Sequence, residues 1–149
     1  MNTDPVYREV QQFRQRWLWA LLSGTALLML VFGPVSWPGL VIVGVVAAFV
    51  YSLRLETEVR ADGIYLKMWP LHRSFRRIAW SEIDQYEART YRPLREFGGW
   101  GIRWASGKRA YNVSGTRGVW IQRTNASDVL VGSQHADDFV TAINEVSTN

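Results

Sequence analysis

Along this chain the hydrophobic pattern changes character twice. From Trp17 to Leu53 no Asp, Glu, Lys, Arg or His interrupts the sequence. That window holds two apolar runs, Trp17–Gly33 and Leu40–Leu53, separated by Pro34-Val-Ser-Trp-Pro-Gly39. Proline lacks an N–H and fixes φ, so the Pro/Gly-rich interval predicts a turn at 34–39 between two helices. At 1.5 Å per residue, a run of about 17 residues reaches roughly 25 Å, the lower end of the range for a bilayer crossing. Phe13 and Leu55 lengthen the apolar runs on their outer sides. We read residues 17–53 as a transmembrane helical hairpin. A cleaved signal peptide is the rival for the first run, but no small-x-small cleavage site precedes the second.

Ahead of the hairpin, Val6, Val10, Phe13 and Trp17 recur at helical spacing, with Asp4-Pro5 as a helix start signal. Residues 1–16 are thus expected to be a cytoplasmic helical extension of the first span. An amphipathic helix lying on the membrane surface is the alternative. Arg14, Arg16 and Arg54 flank the uncharged window, whereas the turn carries no charge. By the positive-inside rule both termini face the cytoplasm, giving a multi-pass location in the cell membrane. Transport needs polar groups at depth, and only Ser23, Thr25 and Ser52 are available for that, so the hairpin reads as an anchor.

After Arg54 the period becomes two. Ile64, Leu66 and Met68 alternate with Tyr65, Lys67 and Trp69, and Trp100, Ile102 and Trp104 alternate with Gly101 and Arg103. Tyr111 and Val113, Val119 and Ile121, and Val129 and Val131 repeat the pattern, with turn-forming clusters between them. This predicts about seven antiparallel strands with one buried face. Phe139, Val140, Ile143 and Val146 then return to helical spacing, with Ser133 as an N-cap candidate and Asp137 and Asp138 in the first turns. The predicted fold class is α+β: an N-terminal transmembrane helical hairpin, then residues 54–149 as an antiparallel β-sandwich or barrel capped by a C-terminal helix.

Three stretches give this domain a family likeness. Arg77-Ile-Ala-Trp-Ser-Glu-Ile83 is similar to the recurrent I-x-W-x-x-I element of the bacterial pleckstrin-homology (PH-like) domain. Asp128–Ser133 followed by Gln134–Val146 is similar to that family's final strand and capping helix. The segment Tyr91–Arg103 with Tyr111–Gly118 resembles a family of prokaryotic membrane proteins in which short membrane helices precede such a domain. The resemblance implies a PH-like cytoplasmic domain over roughly residues 54–147, and implies fold more than activity. PH domains that bind phosphoinositides carry basic residues around the first strand–strand loop. Here that loop is Arg60-Ala-Asp-Gly63, so phosphoinositide specificity is not implied.

Composition removes several functions. The chain has no cysteine, which excludes disulfides, thiolate catalysis and cysteine-ligated metals. Its net charge of +4 divides into +1 before Trp17 and +3 after Leu53, without a dense Lys/Arg run. No nucleic-acid partner is therefore expected, and a mildly basic face suits an anionic membrane surface. His72 and His135 lack the spacing of a metal pair. Glu82 and Asp84 read as a solvated turn, and Gly98-Gly-Trp-Gly101 lacks the Lys-Ser/Thr of a phosphate loop. No catalytic, cofactor-binding or metal-binding residue is expected, and no cofactor.

The candidate contact residues are basic: His72, Arg73, Arg76 and Arg77 in one cluster, and Arg92 and Arg95 in the loop before Phe97. Simple solvation and pairing with Glu56, Glu58, Glu87 and Glu96 is the competing explanation. The sequence thus points to a non-enzymatic, membrane-anchored interaction module presenting its domain to a protein partner or to a second copy. The alternative is an anionic-lipid headgroup sensor using the basic cluster.

Overall fold

The computed structural model of the chain describes residues 4–33 and 37–148. Nine strands form two sheets. The first has the order β1-β2-β3-β4, from Tyr7–Gln12, Arg54–Arg60, Gly63–Trp69 and Arg76–Ala79. The second has the order β5-β8-β9-β7-β6, from Ile83–Thr90, Arg117–Arg123, Asp128–Gly132, Lys108–Asn112 and Gly101–Ala105. All pairs are antiparallel except β7 with β9, which run parallel. A short 3-10 turn, Trp80–Glu82, carries the chain from one sheet to the other.

Period-two burial explains the sheets. Leu55 and Val59 of β2, Ile64, Leu66 and Met68 of β3, and Ile78 of β4 form the inner face of the first sheet. Tyr111, Val113, Val119, Ile121, Val129 and Val131 form the facing layer of the second. The C-terminal helix α4 (Ala136–Ser147) closes this core with Ala136, Phe139, Ala142 and Ile143. Its N-cap is His135 rather than Ser133; the Ser133 hydroxyl instead accepts the His135 N–H at 3.0 Å. On the outer face of the second sheet, Ala110, Trp120 and Leu130 are covered by Tyr91 and by Phe97 of the short helix α3 (Pro93–Phe97).

Two helices, α1 (Arg16–Phe32) and α2 (Trp37–Ser52), sit between β1 and β2 in sequence. Because β1 pairs residue for residue with β2, from Tyr7↔Val59 to Gln12↔Arg54, the helices form an insertion in a β-hairpin. The Phe13 N–H donates to the Leu53 carbonyl at 3.1 Å where the insertion leaves the sheet. Trp19 near the start of α1 meets Tyr51 near the end of α2, ring centroids 6.3 Å apart, so the helices run antiparallel.

Four expectations are corrected here. No helix among the described residues is long and apolar enough to cross a membrane. At 17 and 16 residues α1 and α2 extend about 25 Å, short of a hydrocarbon core of about 30 Å. This overturns the transmembrane hairpin, and with it the multi-pass cell-membrane location and the integral membrane partner. Second, residues 7–12 are strand β1, not part of a helical extension: Tyr7, Glu9 and Gln11 turn inward while Arg8, Val10 and Gln12 face out. Third, residues 54–148 hold eight strands rather than about seven, and β7 and β9 among them pair in parallel. Fourth, Trp37, Pro38 and Gly39 belong to the first turn of α2, where proline's missing N–H would have no helical partner in any case. The remainder of the expected turn, 34–36, lies outside the described residues.

Candidate functional site: a cationic cleft between the sheets

On three strands the core-facing stripe ends in arginine. Arg76 shares the inward phase of Ile78 on β4 and lies opposite Leu66 in the sheet. Arg109 continues the phase of Tyr111 and Val113 on β7, opposite Val129. Arg123 continues the phase of Val119 and Ile121 on β8. The three belong to both sheets and open onto one cleft of about 340 Å³, with Leu66, Ile78, Tyr111 and Val129 in its lining. Arg77 also lines it. The cleft is therefore chiefly a cationic rim: the core residues beneath it, Leu66, Ile78, Tyr111 and Val129, are at most 5% exposed.

Charge pairing inside it is incomplete. Arg77 meets Asp62 at 3.2 Å, and Arg123 meets Glu82 at 3.1 Å. The Asp128 carboxylate accepts the Arg123 main-chain N–H at 3.4 Å. Arg76 and Arg109 have no ion pair among the described residues. Arg109 donates to the Tyr111 hydroxyl at 3.3 Å and lies over the Trp104 ring at 3.9 Å. Arg109 Nε and Arg123 Nε are buried without a hydrogen-bond partner, and so is Nδ1 of neighbouring His72. The His72 ring stands 6.0 Å from that of Tyr111. Burial, reinforced by the Arg76 and Arg109 charges, pushes the His72 pKa below its ordinary value.

Like charges gathered over apolar surface repel one another and lose hydration, so the arrangement is electrostatically unfavourable without a counter-charge. A dianionic oxyanion supplies acceptors for unpaired guanidinium N–H groups, and charge-assisted bonds of this type are the strongest available to arginine. Among the described residues, no group of three or more acidic or histidine side chains converges on a metal site.

The structure sorts the sequence candidates. Arg76 and Arg77 line the cleft, and His72 stands beside it on the β3–β4 connection. Arg73 is exposed on the same connection and lies outside the lining. Arg92 and Arg95 belong to α3 and its N-cap, over the opposite face of the second sheet, and do not join the cluster. The Glu96 carboxylate there accepts the Arg92 main-chain N–H and pairs with Arg89 at 3.0 Å. Glu56 and Glu58 are committed elsewhere, pairing with Arg8, Arg54 and Arg60 on the outer face of the first sheet.

Arg109, Arg123 and Tyr111 were not among the sequence candidates. Their signal is phase: an arginine two residues beyond a core-facing aromatic or β-branched residue lies on the same side of a strand. Comparison with known proteins adds no name to this geometry: no family model, no curated protein and no solved structure matches the chain.

Proposed function

We propose that the chain is a non-enzymatic binding module whose inter-sheet cleft takes an oxyanion such as a phosphate group. The carrying observation is the convergence of Arg76, Arg77, Arg109 and Arg123 on one cavity, two of them without an acidic partner. A phosphate monoester meets the arginine rim with its charge, while its organic part points to solvent because Leu66, Ile78 and Val129 beneath the rim are almost fully covered. The PH-like likeness of Arg77–Ile83 and of Asp128–Val146 is consistent with such a role, since that architecture serves recognition more often than catalysis. Lipid headgroups and free small-molecule phosphates share this chemistry.

The test is calorimetric titration of the full chain with inorganic phosphate and with a medium-chain alkyl phosphate, beside sedimentation with vesicles. Vesicles of neutral lipid are compared with vesicles carrying an anionic phospholipid. The two phosphates are expected to bind with similar affinity, and binding weakens with added salt as a charged rim requires. Anionic-vesicle binding lost in Arg109→Glu identifies a headgroup as the source. Binding of the soluble alkyl phosphate alone identifies a free ligand. Absence of binding in every arm overturns the proposal.

A further inference from the structure

The α1–α2 hairpin stands almost clear of the rest of the molecule. Neither helix contains a buried residue. Among the described residues, fourteen of the twenty exposed large hydrophobic side chains lie on these two helices, from Trp17 through Leu28, Phe32 and Val45 to Tyr51. Its attachment is confined to the root, where Trp17 meets Trp100 at 6.4 Å between ring centroids and the Gln15 amide donates to the Val113 carbonyl at 3.3 Å.

Three properties restrict what covers it. The window Trp17–Leu53 carries no Asp, Glu, Lys, Arg or His, so a charged partner finds no counter-charge along its length. The Thr25 and Ser52 hydroxyls are turned back on the Leu21 and Phe49 carbonyls of their own helices and make no demand on a neighbour. Gly24 and Gly44 leave open space where a Cβ would stand, so they are not spent on the α1–α2 contact. The partner must therefore be uncharged, apolar and matched in length. Among the described residues only the same hairpin has that description: the six other exposed large hydrophobics lie singly or in small groups on strands, loops and the short helix α3.

Area favours the same conclusion. Fourteen side chains, each at least two-fifths exposed, present roughly 1,400 Å² of apolar surface, several times the patch that a monomer ordinarily leaves uncovered. Covering half of it in each of two copies reaches about 1,400 Å², within the range of stable interfaces. We infer that two copies of this chain associate through their α1–α2 hairpins, forming an isologous four-helix unit that leaves each cationic cleft accessible.

The absence of native cysteine makes the test direct. Full-length chains carrying Val45→Cys or Leu28→Cys on the hairpin, or Leu94→Cys on the domain, are oxidised and resolved by mass. Disulfide-linked dimers are expected for the hairpin positions and not for Leu94. In parallel, sedimentation equilibrium of the wild type, in detergent matched to the solvent density, is expected to give twice the 17.1 kDa chain mass. Val45→Glu is expected to return it to one chain mass while near-ultraviolet dichroism shows the sheet domain still folded. A wild-type mass of 17.1 kDa with detergent or lipid bound to the hairpin, and no hairpin-specific crosslink, overturns the inference.

Discussion

Replacing Glu9 by alanine disconnects β1 from the helix-capping loop. The Glu9 carboxylate, almost wholly buried, accepts the Tyr7 hydroxyl at 2.7 Å, the Ser133 hydroxyl at 2.6 Å and the Gln134 main-chain N–H at 2.9 Å. These bonds join the edge strand of the first sheet to the link between β9 and α4. A hydrogen bond to a charged group contributes about 1.5–3 kcal/mol, and a buried donor left without an acceptor costs about 1–3 kcal/mol. The Tyr7 hydroxyl is half-buried and regains water, so the cost falls chiefly on Ser133 and Gln134. Glu9→Ala is accordingly expected to lower stability by about 3–5 kcal/mol, a third or more of what a small domain ordinarily has. For a chain of this length that corresponds to a fall in Tm of about 10 °C. Glu9→Gln, which keeps an acceptor but turns an amide donor toward other donors, costs about half as much. Tyr7→Phe costs about 1 kcal/mol. Urea unfolding followed by tryptophan fluorescence measures all three, and hydrogen exchange locates the loss at β1 and at residues 132–135. A Glu9→Ala protein within about 0.5 kcal/mol of wild type would refute the reasoning, because that is the range of a surface substitution.

Further outcomes follow from the same contacts. Gly118→Ala drives a Cβ into the Val131 carbonyl oxygen of the adjacent strand and is expected to destabilise by about 2–4 kcal/mol in the same unfolding assay. Burial and the hydrogen bond to Glu9 hold the Tyr7 pKa far above its ordinary value. Its contribution is therefore complete below about pH 10 and is lost as pH rises beyond that, a decline that Tyr7→Phe removes from pH-dependent melts. His72 has the opposite sign: with its pKa depressed, the chain loses stability as pH falls below about 6.5, and His72→Gln flattens that limb.

Legibility in the sequence followed the chemistry of each element. Where apolar and polar positions alternated with the usual polarity, as at Ile64–Trp69 and Val119–Ile121, a strand was readable and is present. Helix α4 was readable from Phe139 and Ile143, which are buried as their spacing requires. Strand β1 was misread because its polarity is inverted. Glu9 and Gln11 point into the protein and are satisfied there, Gln11 by the Gly132 carbonyl at 2.7 Å, while Val6 and Val10 face out. Those exposed valines with Phe13 and Trp17 imitate a helical stripe. The membrane reading failed on length, a matter of a few residues in each helix that hydropathy alone does not resolve. The cleft was half legible. The basic cluster around Arg76 showed in the local sequence, but Arg109 and Arg123 join it only through the pairing of β7 with β9 and of β8 with β5. A parallel β7–β9 pair, separated by β8 in the chain, leaves no local mark.

The most direct measurement of the central claim is titration of a soluble alkyl phosphate into wild type, Arg76→Gln, Arg109→Gln and the double variant. Arg76 is exposed and has no ion pair among the described residues, so Arg76→Gln is expected to unfold at the wild-type midpoint. Arg109→Gln also loses its contacts with the Tyr111 hydroxyl and the Trp104 ring and is expected to cost about 1 kcal/mol. Each is expected to lose roughly ten- to a hundredfold in affinity, the loss of one charge-assisted contact, and the double variant to show no binding. Wild-type affinity in the double variant, or binding that is indifferent to salt, would contradict the account.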